Sequence, residues 1–264
     1  MLNLMKADMY RIVRGKGLYI IFGLAALFIA LTVFVFRSVA IVLGVANVDP
    51  MDFERAAYLT GADASLLALG NVSNSMYLFL IVPFIVVAMA GFSSGAVKNE
   101  LSAGIGRGKL YGAKWMLSVL VGLVFLIFNM VLTVVLALLV DGLGDWGYGH
   151  LANVLQSFGL QVLVMSALMS VGIFIAFVTR KTAATLGIFL AFVFVPGALA
   201  SILAMAFDWA ARYAYYDLTA QFAFFANVAM IDRLQIVRGV VLAVGFIVVP
   251  TVAGLAIFRR AEIK

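Results

Sequence analysis

Residues 95 to 109 read GAVKNELSAGIGRGK, a succession of glycines, bases and one acid. Such residues can cradle a phosphate. A nucleotide loop, however, needs G-x-x-x-x-G-K-[ST] directly after a strand. Counting back from Gly108 and Lys109, Ala103 stands where the first glycine belongs. Leu110 stands where the magnesium-binding hydroxyl belongs, and an apolar run precedes the stretch. Nucleotide binding by this loop therefore finds no support. The single histidine, His150, has Asp141 and Asp145 nearby in sequence. One histidine and two loop acids make a poor zinc site. There is no H-E-x-x-H pair, and the absence of cysteine excludes thiol catalysis and cysteine-ligated metals. The expectation is a chain that is not an enzyme and holds no cofactor and no metal of its own.

The elements that must position this loop follow from composition. Of 264 residues, 66% are hydrophobic and 11% charged, against about 45–50% and about 25% in soluble domains. So few polar groups cannot cover a water-soluble surface, and a bilayer is the natural solvent. A helix crossing a core of about 30 Å needs about 20 apolar residues. Six runs qualify: Leu18–Phe36 (with a possible continuation to Ala46), Met76–Phe92, Trp115–Val140, Leu155–Val178, Ala183–Phe207 and Val237–Phe258. None alternates as a membrane barrel strand does. With the N-terminus in the cytoplasm, 13 bases fall on the cytoplasmic side and 5 on the other, which the positive-inside rule favours strongly. Six spans return the basic C-terminus to the same side. The expected fold is all-α, integral to the membrane, one domain over residues 1–264.

Three segments flank the spans. Residues 1–17 place Leu2, Met5, Met9, Ile12 and Val13 at helical spacing, with Lys6, Arg11 and Arg14 mostly off that stripe. This predicts a short amphipathic helix on the inner leaflet. The apolar run behind it is longer than the core of a signal peptide, so it reads as a retained anchor. Residues 93–114 form the one long cytoplasmic loop. Residues 207–236, rich in Trp, Tyr and Phe, read as an interfacial or re-entrant segment on the outer side.

Polar side chains inside the runs admit two readings. Thr32, Asn129, Thr133, Gln156, Gln161, Ser166 and Ser170 either bond helix to helix, at about 0.6 kcal/mol each, or line a translocation path. Arg37 either marks the outer boundary of the first span or is buried. No Asp or Glu lies within any of the six runs, which weakens the reading as an ion-coupled carrier.

The run G-A-V-K-N-E-L-S-A-G-I-G-R-G-K-L-Y-G-A-K resembles the GTxKNxLSxGxSRxxxYxxK segment of ABC-2 type transporter permeases. Gly95, Lys98, Asn99, Leu101, Ser102, Gly104, Arg107, Tyr111 and Lys114 match it. Ala96 stands in place of the usual threonine, no acid precedes Gly95, and Glu100 occupies a usually apolar position. The closing Phe258–Ile263 is similar to the family's basic ending. The resemblance implies a coupling helix in residues 93–114, seated on a separate ATPase through Lys98, Asn99, Glu100, Leu101, Ile105, Arg107 and Lys109. Arg180 and Lys181 would add a smaller contact. ATP and magnesium would sit in that partner, present in two copies, beside a second permease, identical or paralogous. The implied setting is the bacterial cytoplasmic membrane, with membrane lipids but no nucleic acid as partners. The implied function is export of an amphiphilic substrate such as a peptide, antimicrobial or lipid-like drug. The alternatives are a non-transporting membrane scaffold that binds a cytoplasmic partner and, behind it, an ion-coupled carrier.

Overall fold

The computed structural model describes residues 2–47, 60–72, 81, 84, 87–89, 91–92 and 95–260. The side chains of residues 2–3, 36–47, 208, 211 and 214 lie outside that description. Among the described residues there is helix and turn but no strand. The long elements are α1 (Leu2–Arg14), α2 (Lys16–Asn47), α3 (Gly61–Asn71), α5 (Arg107–Asp141), α6 (Tyr148–Thr179), α7 (Thr182–Ala204) and α10 (Arg233–Arg260). Between α3 and α5 stands the short α4 (Ala96–Ser102). Between α7 and α10 the chain folds as α8 (Asp208–Ala211), a 3-10 turn (Arg212–Tyr216), α9 (Ala220–Phe224) and a second 3-10 turn (Val228–Met230).

Five of these helices, in α2, α5, α6, α7 and α10, are long and apolar enough to cross a membrane. The protein is a multi-pass, all-α membrane protein. The helix α2 runs unbroken through position 37, so the first apolar run does continue past Arg37, whose side chain lies outside the described residues. Most of the expected second span, Met76–Phe92, also lies outside them. The third span begins eight residues earlier than its apolar run, at Arg107. At 35 residues α5 is about 50 Å long, well beyond a hydrocarbon core of about 30 Å. Its first turns therefore belong to the expected 93–114 loop in sequence but to the helix in structure.

The core is built around α6. Two thirds of its most apolar stretch is buried (67%), against 28% for α5 and 11% for α7 and α10. Close approach explains this. A Cβ at Gly172 of α6 would overlap the Phe84 ring, and one at Gly122 of α5 would overlap Met165 Sδ of α6. Small residues at such contacts let helix backbones approach where burial of apolar surface supplies no drive. Near the Arg107 end, Phe177 gathers Phe92, Tyr111 and Phe258 at ring distances of 5.1, 4.8 and 4.7 Å.

The described helices share two ends. Arg107, Arg180 and Arg260 mark a basic end, and Asp141, Asp217 and Asp232 mark an acidic end. The chain before α5 spans both. Gly61 N–H donates to the Gly142 carbonyl at 2.9 Å at the acidic end. At the basic end Gly91 lies against Lys114, whose Nζ would be 3.4 Å from a Cβ there.

Candidate functional site

The stretch that opens the sequence argument folds as a turn, a helix and a second turn. Gly95 at φ +70° and Gly104 at φ +83° bracket it, both in the left-handed region that favours glycine. Between them α4 buries Ala96 and Val97. Leu101 and Ile105 pack against the protein's own core, and Leu110 is fully buried. The apolar residues expected to face a partner are thus largely turned inward. Lys98, Asn99, Ser102 and Lys109 remain exposed. They make the outward face of the segment.

Behind this face lies an ionic cluster. Lys114 Nζ sits 2.7 Å from Asp8 Oδ2, with both side chains at least 96% buried. The approach is that of an ion pair set off the hydrogen-bond direction, since neither atom has a well-aligned partner. Arg11 stands 3.8 Å from the other oxygen of Asp8. Glu100 of α4 completes the group. Burial raises its carboxyl above the ordinary value, Lys114 and Arg11 pull it down, and Asp8 adds to the rise. Residues of α1, α4 and α5 therefore share one electrostatic knot. Sequence reasoning placed Asp8 and Lys114 on the same side of the membrane but gave neither a role. The available signal was an acid on the apolar stripe of α1, where Asp8 and Ile12 are buried and Val13 is exposed instead.

Arg107 does other work than the resemblance implies. Its guanidinium Nη1 donates to the carbonyls of Phe258 and Arg259. These are among the last four carbonyls of α10, which have no partner within the helix, and a cation there also meets the negative end of the helix dipole. Arg107 ties the start of α5 to the end of α10. Nearby, Arg180 takes a left-handed backbone at φ 52° to end α6. Lys181 is exposed. The turn is closed by Thr179 and Thr185, whose hydroxyls lie 2.6 Å apart.

Most of the polar side chains named for the spans are engaged inside the bundle. Asn129 Nδ2 donates to the Ala68 carbonyl at 2.9 Å, and Gln161 Nε2 to Leu69 and Phe222 at 2.8 and 3.0 Å. These two amides cap the orphan carbonyls at the end of α3. Thr32, Thr133 and Ser166 donate to carbonyls one turn back. Ser170 does the same and accepts from Trp115 Nε1 at 2.7 Å. Gln156 is exposed. Asn129, Thr133, Gln161, Ser166 and Ser170 are buried.

Two catalytic arrangements can be weighed. Gly91–Gly95 has the G-x-S-x-G spacing of a serine nucleophile elbow. That elbow needs a strand before it, whereas Gly91 and Phe92 are helical, and Ser93 lies outside the described residues. His150 sits at the opposite, acidic end, where its Nε2 lies 3.0 Å from the Ala62 carbonyl and 3.1 Å from Ser65 Oγ. Among the described residues these parts form no triad. Among the described residues no group of three His, Cys, Asp or Glu side chains is placed to hold a metal.

No protein-family model matches the chain, and no curated protein matches it significantly.

Proposed function

We propose that this chain is the membrane subunit of an ATP-driven exporter of the ABC-2 type. The observation that carries the reading is the α4 segment. It is a short helix between two membrane-crossing parts of the chain, with a polar outer face of Lys98, Asn99, Ser102 and Lys109. On its inner side Glu100 feels the charges of Lys114, Asp8 and Arg11, beside the buried Asp8–Lys114 pair. A partner that pushes on such a helix moves α1 and α5 with it. In this reading the partner is a pair of ATPase subunits that hold ATP and magnesium, and the chain itself hydrolyses nothing.

A sixth crossing belongs to the proposal. The described residues between Gly61 and Phe92 touch α5 near both of its ends, which supports a crossing by this part of the chain. Six crossings put both termini in the cytoplasm of a bacterial cell, beside the basic end. Asn129, Thr133, Gln161, Ser166 and Ser170 are spent on internal hydrogen bonds. A path for an amphiphilic substrate is then sought between two permease copies rather than through one. The same observation favours, as a second reading, a scaffold that binds a partner and moves nothing.

Pull-down of the tagged protein with its candidate ATPase separates the two. The charge reversals to use are Lys98→Glu and Lys109→Glu, because Arg107 caps the chain's own α10 and Glu100 is turned toward its own buried charges. Loss of a nucleotide-hydrolysing partner in these variants, with unchanged elution of the membrane protein, supports the exporter. Binding of a partner that turns over no ATP supports the scaffold.

A further inference from the structure

At the acidic end the segment after α7 folds back on that helix and leaves a lateral furrow. Val195, Pro196, Leu199 and Leu203 of α7 face Trp209 and Tyr213 across a cavity of about 520 Å³. That is within the range of about 300–1,000 Å³ of pockets for drug-sized ligands. Its walls are almost wholly apolar. Ala200, Ala210 and Tyr213 also wall a second, smaller hollow of about 230 Å³, where Gly197, Ser201 and Asp217 supply the lining. Asp217 Oδ2 lies against α7, where a Cβ on Gly197 would stand 3.3 Å from it. Thr219 steadies the carboxylate, donating its N–H to Oδ1 at 3.0 Å and its hydroxyl to both oxygens. Among the described residues no cation pairs with Asp217.

We infer that this furrow binds a single-chain cationic amphiphile. Its alkyl chain lies against Pro196, Leu199, Leu203 and Trp209, and its ammonium is directed to Asp217. Three observations favour that occupant. An acid held by neutral donors and lacking a basic partner calls for a cation. The apolar hollow beside it takes one chain of drug-like volume, whereas a two-chain lipid exceeds it. Acids outnumber bases at this end of the protein, and such a field draws cations to the membrane face. The inference names a ligand class for the proposed exporter and rests on that reading only for the site's purpose.

Trp209 is the built-in reporter, one of three tryptophans in the chain. The intact protein in phosphatidylcholine nanodiscs is titrated with bromododecylammonium, bromododecanol and bromododecanoate, whose bromine quenches tryptophan on contact. The expected result is a saturable quench by the ammonium, absent in Trp209→Phe. Asp217→Asn keeps an oxygen for Thr219 and weakens the ammonium by about tenfold while leaving the alcohol unchanged. Ala200→Phe fills the shared wall and removes the saturable quench by both. Equal affinity for the three headgroups overturns the cationic assignment. No saturable quench overturns the site, including the case in which a second copy covers Trp209. No ATPase is present in this assay. Its failure leaves partner docking untouched, and failure of partner docking leaves the quench untouched.

Discussion

Lys114 Nζ lies 2.7 Å from Asp8 Oδ2, and the pair joins the first helix of the chain to the start of the longest one. Removing one member leaves the other charge buried and unpaired, at a cost of about 3–5 kcal/mol. Asp8→Asn is therefore expected to lower the melting temperature sharply. Lys114→Met in the same chain is expected to restore most of it, because an apolar replacement of both ions is often near neutral. Size-exclusion chromatography of heated samples reads both outcomes. Equal losses in the single and the double variant would mean that the pair contributes nothing as a pair.

The carboxyl of Glu100 gives a pH dependence of defined sign. Its folded value lies above the ordinary 4.5. The protonated form is thus the better tolerated one in the fold. Stability from this group is fully present below about pH 4.5 and falls as pH rises through the folded value. Glu100→Gln removes that fall. It is expected to melt above wild type at pH 8, with the gap closing as pH approaches 4.5. A gap that is constant with pH would place the effect elsewhere. Glu100 is only partly buried, so solvent screening keeps the effect small.

How much of this was legible in the sequence depends on the range of the contact. The apolar runs come from local composition, and α6, α7 and α10 begin and end within seven residues of them. Asn129 and Gln161 donate from helix to helix, though nothing local named the end of α3 as the acceptor. Lys114 read as one base of the cytoplasmic 93–114 segment. Its burial depends on Asp8, far away in the chain, and on the bare backbone of Gly91. Arg107 looked like a partner contact because the two carbonyls it caps belong to the other end of the sequence. Residues 93–114 read as one loop because glycines and charges interrupt the apolar pattern, yet helix geometry resumes as soon as Gly106 is passed.

Arg107 supplies a further check. Arg107→Ala leaves the carbonyls of Phe258 and Arg259 without their donor and removes a cation from the negative end of α10. Each charge-assisted bond is worth about 1.5–3 kcal/mol when buried, and less here because Arg259 is exposed. The expected result is faster hydrogen exchange in the last turn of α10, with little change in α6. Arg107→Lys should recover part of the protection, since a single ammonium cannot reproduce the fork of a guanidinium. Unchanged exchange at residues 256–260 in Arg107→Ala would show that the cap carries no stability.

The end of α3 offers the last prediction, and it concerns how that helix is held against α5 and α6. Helix ends inside a membrane protein persist only where other groups satisfy the freed carbonyls. Here Gln161 serves Leu69 and Phe222 together, and Asn129 serves Ala68. Gln161→Leu keeps the volume and withdraws two donors. At about 0.6 kcal/mol per bond, and at most about 1.7, the expected loss is about 1–3 kcal/mol. Asn129→Leu withdraws one donor and should cost about half as much. The two amides cap successive carbonyls of one helix end, so their effects should not add. The first loss frees α3 to shift, and the second then removes less. Melting temperatures of both single variants and the double variant measure this coupling. Strict additivity would mean that the end of α3 does not behave as one unit.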